Sequence, residues 1–128
     1  MGSAVGLIAC LNAVSKGFVT PEQTKIYNFG QPRVGNAEFS AFAEAHVSEI
    51  YRLVHDHDLW THVPFCVPNL LPGRKFLHCK TEGNFFYYPY HEGTEVLYDQ
   101  GMKSYQVCDG SEDQACSNSF WRFSLQDH

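Results

Sequence analysis

The sequence predicts an α/β fold with a mostly parallel central sheet flanked by helices. Three observations carry this. Helical and strand-like segments alternate from the start of the chain: an apolar helix, a strand, an amphipathic helix and a second strand. Such alternation implies crossover connections and hence parallel pairing. Glycine- and proline-bearing breaks separate these elements. Finally, the 128 residues are 44% apolar, enough for one hydrophobic core.

Residues 4–15 form the first predicted helix. Val5, Leu7, Ile8, Ala9, Cys10, Leu11, Ala13 and Val14 make it apolar on nearly every side, which predicts a buried helix. Lys16-Gly17 supplies its stop, a cation followed by a residue tolerant of the left-handed conformation. Thr20-Pro21-Glu22-Gln23 matches a capping box with proline at the first helical position and predicts one short turn. Lys25 to Phe29 reads as a strand, broken by Gly30-Gln31-Pro32-Arg33-Val34-Gly35-Asn36. Asn36 caps the next helix, which has Glu38 in its first turn. The apolar stripe of that helix is Phe39, Phe42, Ala43 and Val47. Ile50 to His55 is the second strand.

From residue 58 the style changes. A proline-rich loop leads to an aromatic run, Phe85-Phe86-Tyr87-Tyr88-Pro89-Tyr90. Two short strand candidates follow, Glu95–Tyr98 and Ser104–Val107. There is no repeat and no low-complexity linker. Residues 1–128 therefore read as one domain, incomplete at its start.

Composition excludes several classes. The formal net charge of −5 disfavours a nucleic-acid partner, because phosphate binding needs a basic footprint. No run approaches the roughly 20 apolar residues of a transmembrane helix. The apolar start lacks a basic leading region and is interrupted by Asn12, Ser15 and Lys16, so it does not read as a signal peptide. Aromatic residues reach 15%, an unusual number of rings to bury or to line a site.

Of the five cysteines, Cys108 and Cys116 bracket an acidic loop, Asp109-Gly110-Ser111-Glu112-Asp113, and suit a small disulfide-closed loop. Cys66 and Cys79 bracket another loop and are a second candidate pair. Cys10, in the apolar helix, reads as a buried thiol. Pairing favours an oxidising compartment. No CxxC pair is present, so a zinc knuckle is not expected.

His55-Asp56-His57-Asp58 is the first chemical candidate, because active sites gather at the carboxyl ends of strands in open α/β sheets. On an extended segment His55 and His57 face one way and Asp56 and Asp58 the other. One carboxylate could then leave the sheet toward a distant partner; a solvated polar turn is the bland alternative. A metal site is a rival, weakened because alternation divides the ligands between two faces and no HExxH helix accompanies them. His128, the last residue, is a second candidate, and alone a terminal histidine means nothing. His62, His78 and His91 are equally unremarkable alone. Ser3 tempts as a nucleophile, but Gly2-Ser3-Ala4-Val5-Gly6 is not G-x-S-x-G.

Taken together these blocks resemble a known family. Tyr27-Asn28-Phe29-Gly30-Gln31-Pro32-Arg33-Val34-Gly35-Asn36 is similar to the strand-plus-loop signature of class 3 lipases, the fungal lipase-type α/β-hydrolases. Tyr51 to Pro64 resembles the family's next strand and turn, with Trp60-Thr61 where a proline is often found. Tyr90-His91-Glu92-Gly93-Thr94-Glu95-Val96 resembles its "HxGxE" strand. Cys116-Ser117-Asn118-Ser119 and Ser124-Leu125-Gln126-Asp127-His128 resemble its "CSNS…DH" close.

The resemblance implies the C-terminal portion of an α/β-hydrolase fold, a partial fungal lipase-type domain over residues 1–128 that lacks the N-terminal half. It makes Asp58 the triad acid and His128 the triad base, in the Ser, Asp, His order of that fold. Met1-Gly2-Ser3-Ala4 matches the second half of the family's nucleophile elbow. The serine would then fall immediately before Met1, and the backbone N–H of Met1 would be an oxyanion donor. The implied substrate is a lipid carboxylic ester, met at a lipid–water interface, with no cofactor and no metal; a secreted or lumenal location is implied for an intact parent. With the nucleophile outside the chain, residues 1–128 alone are expected to be inactive. Two competing readings are a non-catalytic lipid-binding or interaction module and a truncated gene model with no independent life.

Overall fold

In a computed structural model, residues 1–66, 79, 88–120 and 122–128 are described. Phe85-Phe86-Tyr87 of the aromatic run and His78 lie outside them.

Helix α1 spans Gly2–Ser15. Its end is a Schellman closure: the Gly17 N–H donates to Val14 O and the Phe18 N–H to Ala13 O, with Gly17 at φ +72. The Thr20 capping box forms and starts a single 3₁₀ turn, Pro21–Gln23. Strand β1 is Lys25–Phe29. Helix α2, Ala37–His46, is capped by Asn36, whose side chain accepts from the Phe39 N–H at 3.0 Å. Strand β2 is Glu49–His55, β3 is Thr94–Tyr98 and β4 is Tyr105–Val107.

The four strands form one sheet in the order β1-β2-β3-β4. β1, β2 and β3 run parallel, and β4 returns antiparallel to β3. The register places Ile26 beside Ile50 and Arg52 beside Glu95. One sheet face therefore carries Ile26, Asn28, Ile50, Arg52, Val54 and Glu95, all buried. Leu7, Leu11 and Val14 of α1, with Ala43 and Val47 of the α2 segment, close over Ile26 and Ile50 as the hydrophobic core.

Two sequence expectations need correction. Helix α1 is buried along one stripe only: Val5 is 67% exposed and Ile8 52%. An all-round apolar composition thus gave the wrong burial, because Leu7, Leu11 and Val14, with Cys10 partly buried beside them, form the side that meets the core. In α2, Phe42 leaves the expected stripe and packs on the His46 ring at 4.0 Å; Ser40 is buried instead. No described helix is long and apolar enough to cross a membrane.

Candidate active site

The chain turns sharply at the end of β2. His55 is the last residue of the strand, and Asp56 takes φ +41. The alternation expected through Asp58 stops there, so the faces of Asp56, His57 and Asp58 are set by the turn. Asp56 and His57 engage each other at 2.9 Å, and the His57 ring stacks on Phe120. Asp56, His57 and Asp127 come within 4.8 Å of one another, so alternation does not separate these groups.

Asp58 caps a short 3₁₀ turn, Leu59–His62. It is only 2% exposed. Its Oδ1 accepts the Trp60 N–H at 2.8 Å, and its backbone oxygen accepts from Thr61 Oγ1 at 2.8 Å. Its Oδ2 faces Nδ1 of His128 at 2.9 Å. A carboxylate oxygen only accepts, so Nδ1 carries the proton and Nε2 is left as the basic nitrogen. The His128 side chain is 41% exposed. Sequence separates the pair by 70 residues, and backbone pairing joins them. Leu59 N–H donates to Ser124 O, and Ser124 N–H donates to His57 O. The tail is thereby stitched beside the Asp58 turn.

Gly30 makes this approach feasible, a role that sequence reading gave only to a strand break. It sits at φ +55, and a β-carbon there would lie 2.8 Å from Cε1 and 2.9 Å from Nδ1 of His128, and 3.1 Å from Oδ2 of Asp58. A glycine directly after a strand, facing a distant acid and histidine, was the available signal.

The pair opens into a cleft of about 460 Å³ lined by Phe29, Leu53, Tyr98 and Met102 among others. At this same end of β1, α1 is tied in: Ser3 Oγ donates to Phe29 O at 2.7 Å. Ser3 is thus a structural tether at the strand end. Met1 is the exposed N-cap of α1.

Beneath the site lies a buried polar network that sequence reading missed. Asn28 donates to Gln31, and Gln31 to Glu92. Arg33 forms a two-pronged ion pair with Glu112 at 2.7 and 2.8 Å and donates to His62 O at 2.6 Å. Arg52 reaches Glu92 O, Ser111 O and Glu95. Burial acts most strongly on the Glu112 carboxyl and would raise it, yet the bonds and charge of Arg33 and the Asn118 amide hold it below the usual range. Burial, aided by Arg33, drives the His62 imidazole down to about 3, and burial likewise depresses His91. Both are neutral structural groups; His91 Nε2 lies 2.7 Å from Thr61 O and braces the Asp58 turn.

Cys66 is bonded to Cys79, and Cys108 to Cys116, closing the loop that delivers Glu112. Cys10 is a free, half-buried thiol whose pKa is raised by burial.

Residues 1–68 match the family described as Lipase (class 3). A lipase of Caenorhabditis elegans is 31% identical over 133 residues, covering 93% of this chain and 36% of that protein. A lipase of Rhizopus niveus is 30% identical, covering 100% and 29%. The chain spans about a third of the length of these relatives. Among solved structures, lipase II from Rhizopus niveus superposes with a TM-score of 0.78 at 27% identity, over 99% of this chain and 42% of that one. A triacylglycerol lipase whose catalytic centre is formed by a serine protease triad does so with a TM-score of 0.77 at 26% identity, again over 99% and 42%. The chain belongs to the class 3 lipase family and has the mostly parallel sheet and flanking helices of an α/β-hydrolase fold.

Proposed function

We propose that residues 1–128 form the part of a serine-type lipid-ester hydrolase that supplies the acid, Asp58, and the base, His128. The carrying observation is the 2.9 Å contact between buried Asp58 Oδ2 and His128 Nδ1 at the mouth of an apolar cleft. In this mechanism Nε2 of His128 takes the proton of the serine hydroxyl as its oxygen attacks the ester carbonyl. The same proton passes to the departing alcohol as the carbonyl–oxygen bond breaks. Water then repeats the sequence and releases the acid. Asp58 fixes the tautomer and stabilises the imidazolium.

The nucleophile stands one residue upstream of Met1 in this reading, and the Met1 N–H contributes to the oxyanion hole. The Ser3–Phe29 tether supports it, because it holds the first turn of α1 at the same strand ends as Gly30 and Asp58. Residues 1–128 are then part of a larger lipase domain and hydrolyse no ester alone. The walls contributed by Phe29, Leu53, Tyr98 and Met102 suit an acyl chain, and exposed Tyr27 and Phe29 suit contact with a lipid–water interface.

The test joins residues 1–128 to the upstream half of the Rhizopus niveus lipase ending in Gly-His-Ser and measures p-nitrophenyl ester hydrolysis. Turnover is expected from the joined protein, none from residues 1–128, and a loss of about 10⁴ in kcat for Asp58→Asn. A folded joined protein that forms no acyl-enzyme overturns the proposal. A second reading, a non-catalytic lipid-binding module, draws on the exposed aromatic sheet face. Vesicle binding by residues 1–128, with no turnover in the joined protein, would favour it.

A further inference from the structure

His55 ends β2 with its ring between two backbone segments. Nδ1 lies 2.8 Å from the carbonyl oxygen of Asp127, and Nε2 lies 3.2 Å from that of Gln100. Carbonyl oxygens only accept. A neutral imidazole has one N–H and one lone pair, so it satisfies one contact and sets a lone pair against the other. An imidazolium donates to both.

The two partners belong to different parts of the fold. Asp127 immediately precedes His128. Gln100 lies in the turn between β3 and β4. That turn is firmly tied: Asp99 accepts from the Lys103 N–H, the Ser104 N–H and the Ser104 hydroxyl. One ring thus braces the C-terminal end of the chain against a tied turn.

We propose that doubly protonated His55 is a positioning residue that clamps the C-terminal tail and so holds His128 on Asp58. The proposal rests on the reading of His128 as the base. The groups facing His55 favour its charge. Its bonds to the Asp127 and Gln100 carbonyls raise its pKa; burial opposes them, and the Asp127 and Asp56 carboxylates add weaker support. From the β3–β4 turn, Asp99 is lowered chiefly by its own turn bonds and slightly by His55. Asp58 and His128 share the cleft with His55.

The sign follows from the raised value. The clamp is fully formed below the ordinary histidine pKa and is lost as pH rises through the value in the folded protein. His128 needs the opposite condition, because a base must be neutral. Activity is therefore bounded on its alkaline side by the release of His55.

The experiment uses residues 1–128 and follows two signals by NMR: the low-field Nδ1 proton of His128, and hydrogen exchange of the Ser124 and Gln126 amides corrected for intrinsic rate. In the unaltered chain both should weaken as the His55 ring titrates. H55F should lower amide protection about tenfold at every pH. H55Q keeps an N–H donor without titrating and should restore part of the protection with no pH dependence. A melting curve on each variant separates clamp loss from unfolding. Equal tail protection in folded H55F, or a tail indifferent to His55 titration, overturns the clamp. The activity reading fails separately: Asp58→Asn in the joined protein would then leave turnover unchanged while the tail still answers to His55.

Discussion

The two faces of the sheet do different work. One face buries Ile26 and Ile50 under α1 and the α2 segment, and buries Val54 with the polar residues Asn28, Arg52 and Glu95 beside them. The other carries Tyr27, Phe29, Tyr51, Leu53, Val96, Tyr98, Tyr105 and Val107 by register. On it Tyr27 is 56% exposed and Phe29 66%, and none of these side chains joins the buried cluster of the described residues. Parallel strands are usually covered on both faces. Phe29, Leu53, His55 and Tyr98 of the open face also wall the cleft of Asp58 and His128. In the proposed function the covered face sets stability and the open face meets the substrate. Changes on the first should be read in melting curves, and changes on the second in kinetics.

The strongest way to break this contrast is Arg33→Met. It leaves the Glu112 carboxylate buried without its two-pronged partner. A loss of about 3–5 kcal/mol of unfolding free energy is expected in denaturant titration. A loss under about 1 kcal/mol would mean that the network is not what secures the covered side.

Gly30→Ala probes the junction of the two faces. Its β-carbon must displace His128 or Asp58, and alanine is strained at φ +55. A fall of about 10² in kcat is expected in the joined protein from a displacement of that size. A crystal structure of the variant should show the two side chains parted.

Acid provides the third test. His62 and His91 are depressed by burial, so below about pH 6.5 the unfolded chain binds protons that the folded chain refuses. Stability should fall as pH drops from there toward about 3, the value for His62. The slope is about 1.4 kcal/mol per pH unit for each ring, seen in urea midpoints. His62→Gln should flatten that slope.

The smallest effect belongs to the open face. Tyr27→Ser removes a ring stacked on Tyr51 at 5.4 Å, yet both lie on the exposed side. A change of about 0.5 kcal/mol or less is expected by thermal melting. A larger loss would show that this face is covered in solution.

Much of the fold was legible because local signals agree with the tertiary structure. The strand at Lys25–Phe29 appears as read, Asn36 caps α2 as expected, and the Thr20 capping box forms. Burial was less legible. Composition cannot say which side of α1 finds a partner, and Val5 and Ile8 find none in the core. Asp58 and His128 were singled out through resemblance; spacing alone favoured a solvated polar turn. The network of Arg33, Arg52, Glu92 and Glu112 was invisible, because charged residues scattered over 80 positions read as surface until the chain brings them together. Gly30 was read as punctuation, and only the approach of His128 gives it a second purpose.

The 70-residue gap between Asp58 and His128 also has a kinetic consequence. The segment α1–β1–α2–β2 is joined by short connections and pays little entropy to close. β3 must return to β2 from Thr94, opposite Tyr51, and the tail must then dock on both β2 and the β3–β4 turn. Long closures form late in folding. The tail docks through these late, long-range contacts, so it is among the first segments to open on warming. Loss of the Asp58–His128 contact should therefore precede melting of the sheet, and the temperature at which function fails should lie below the one at which the protein unfolds.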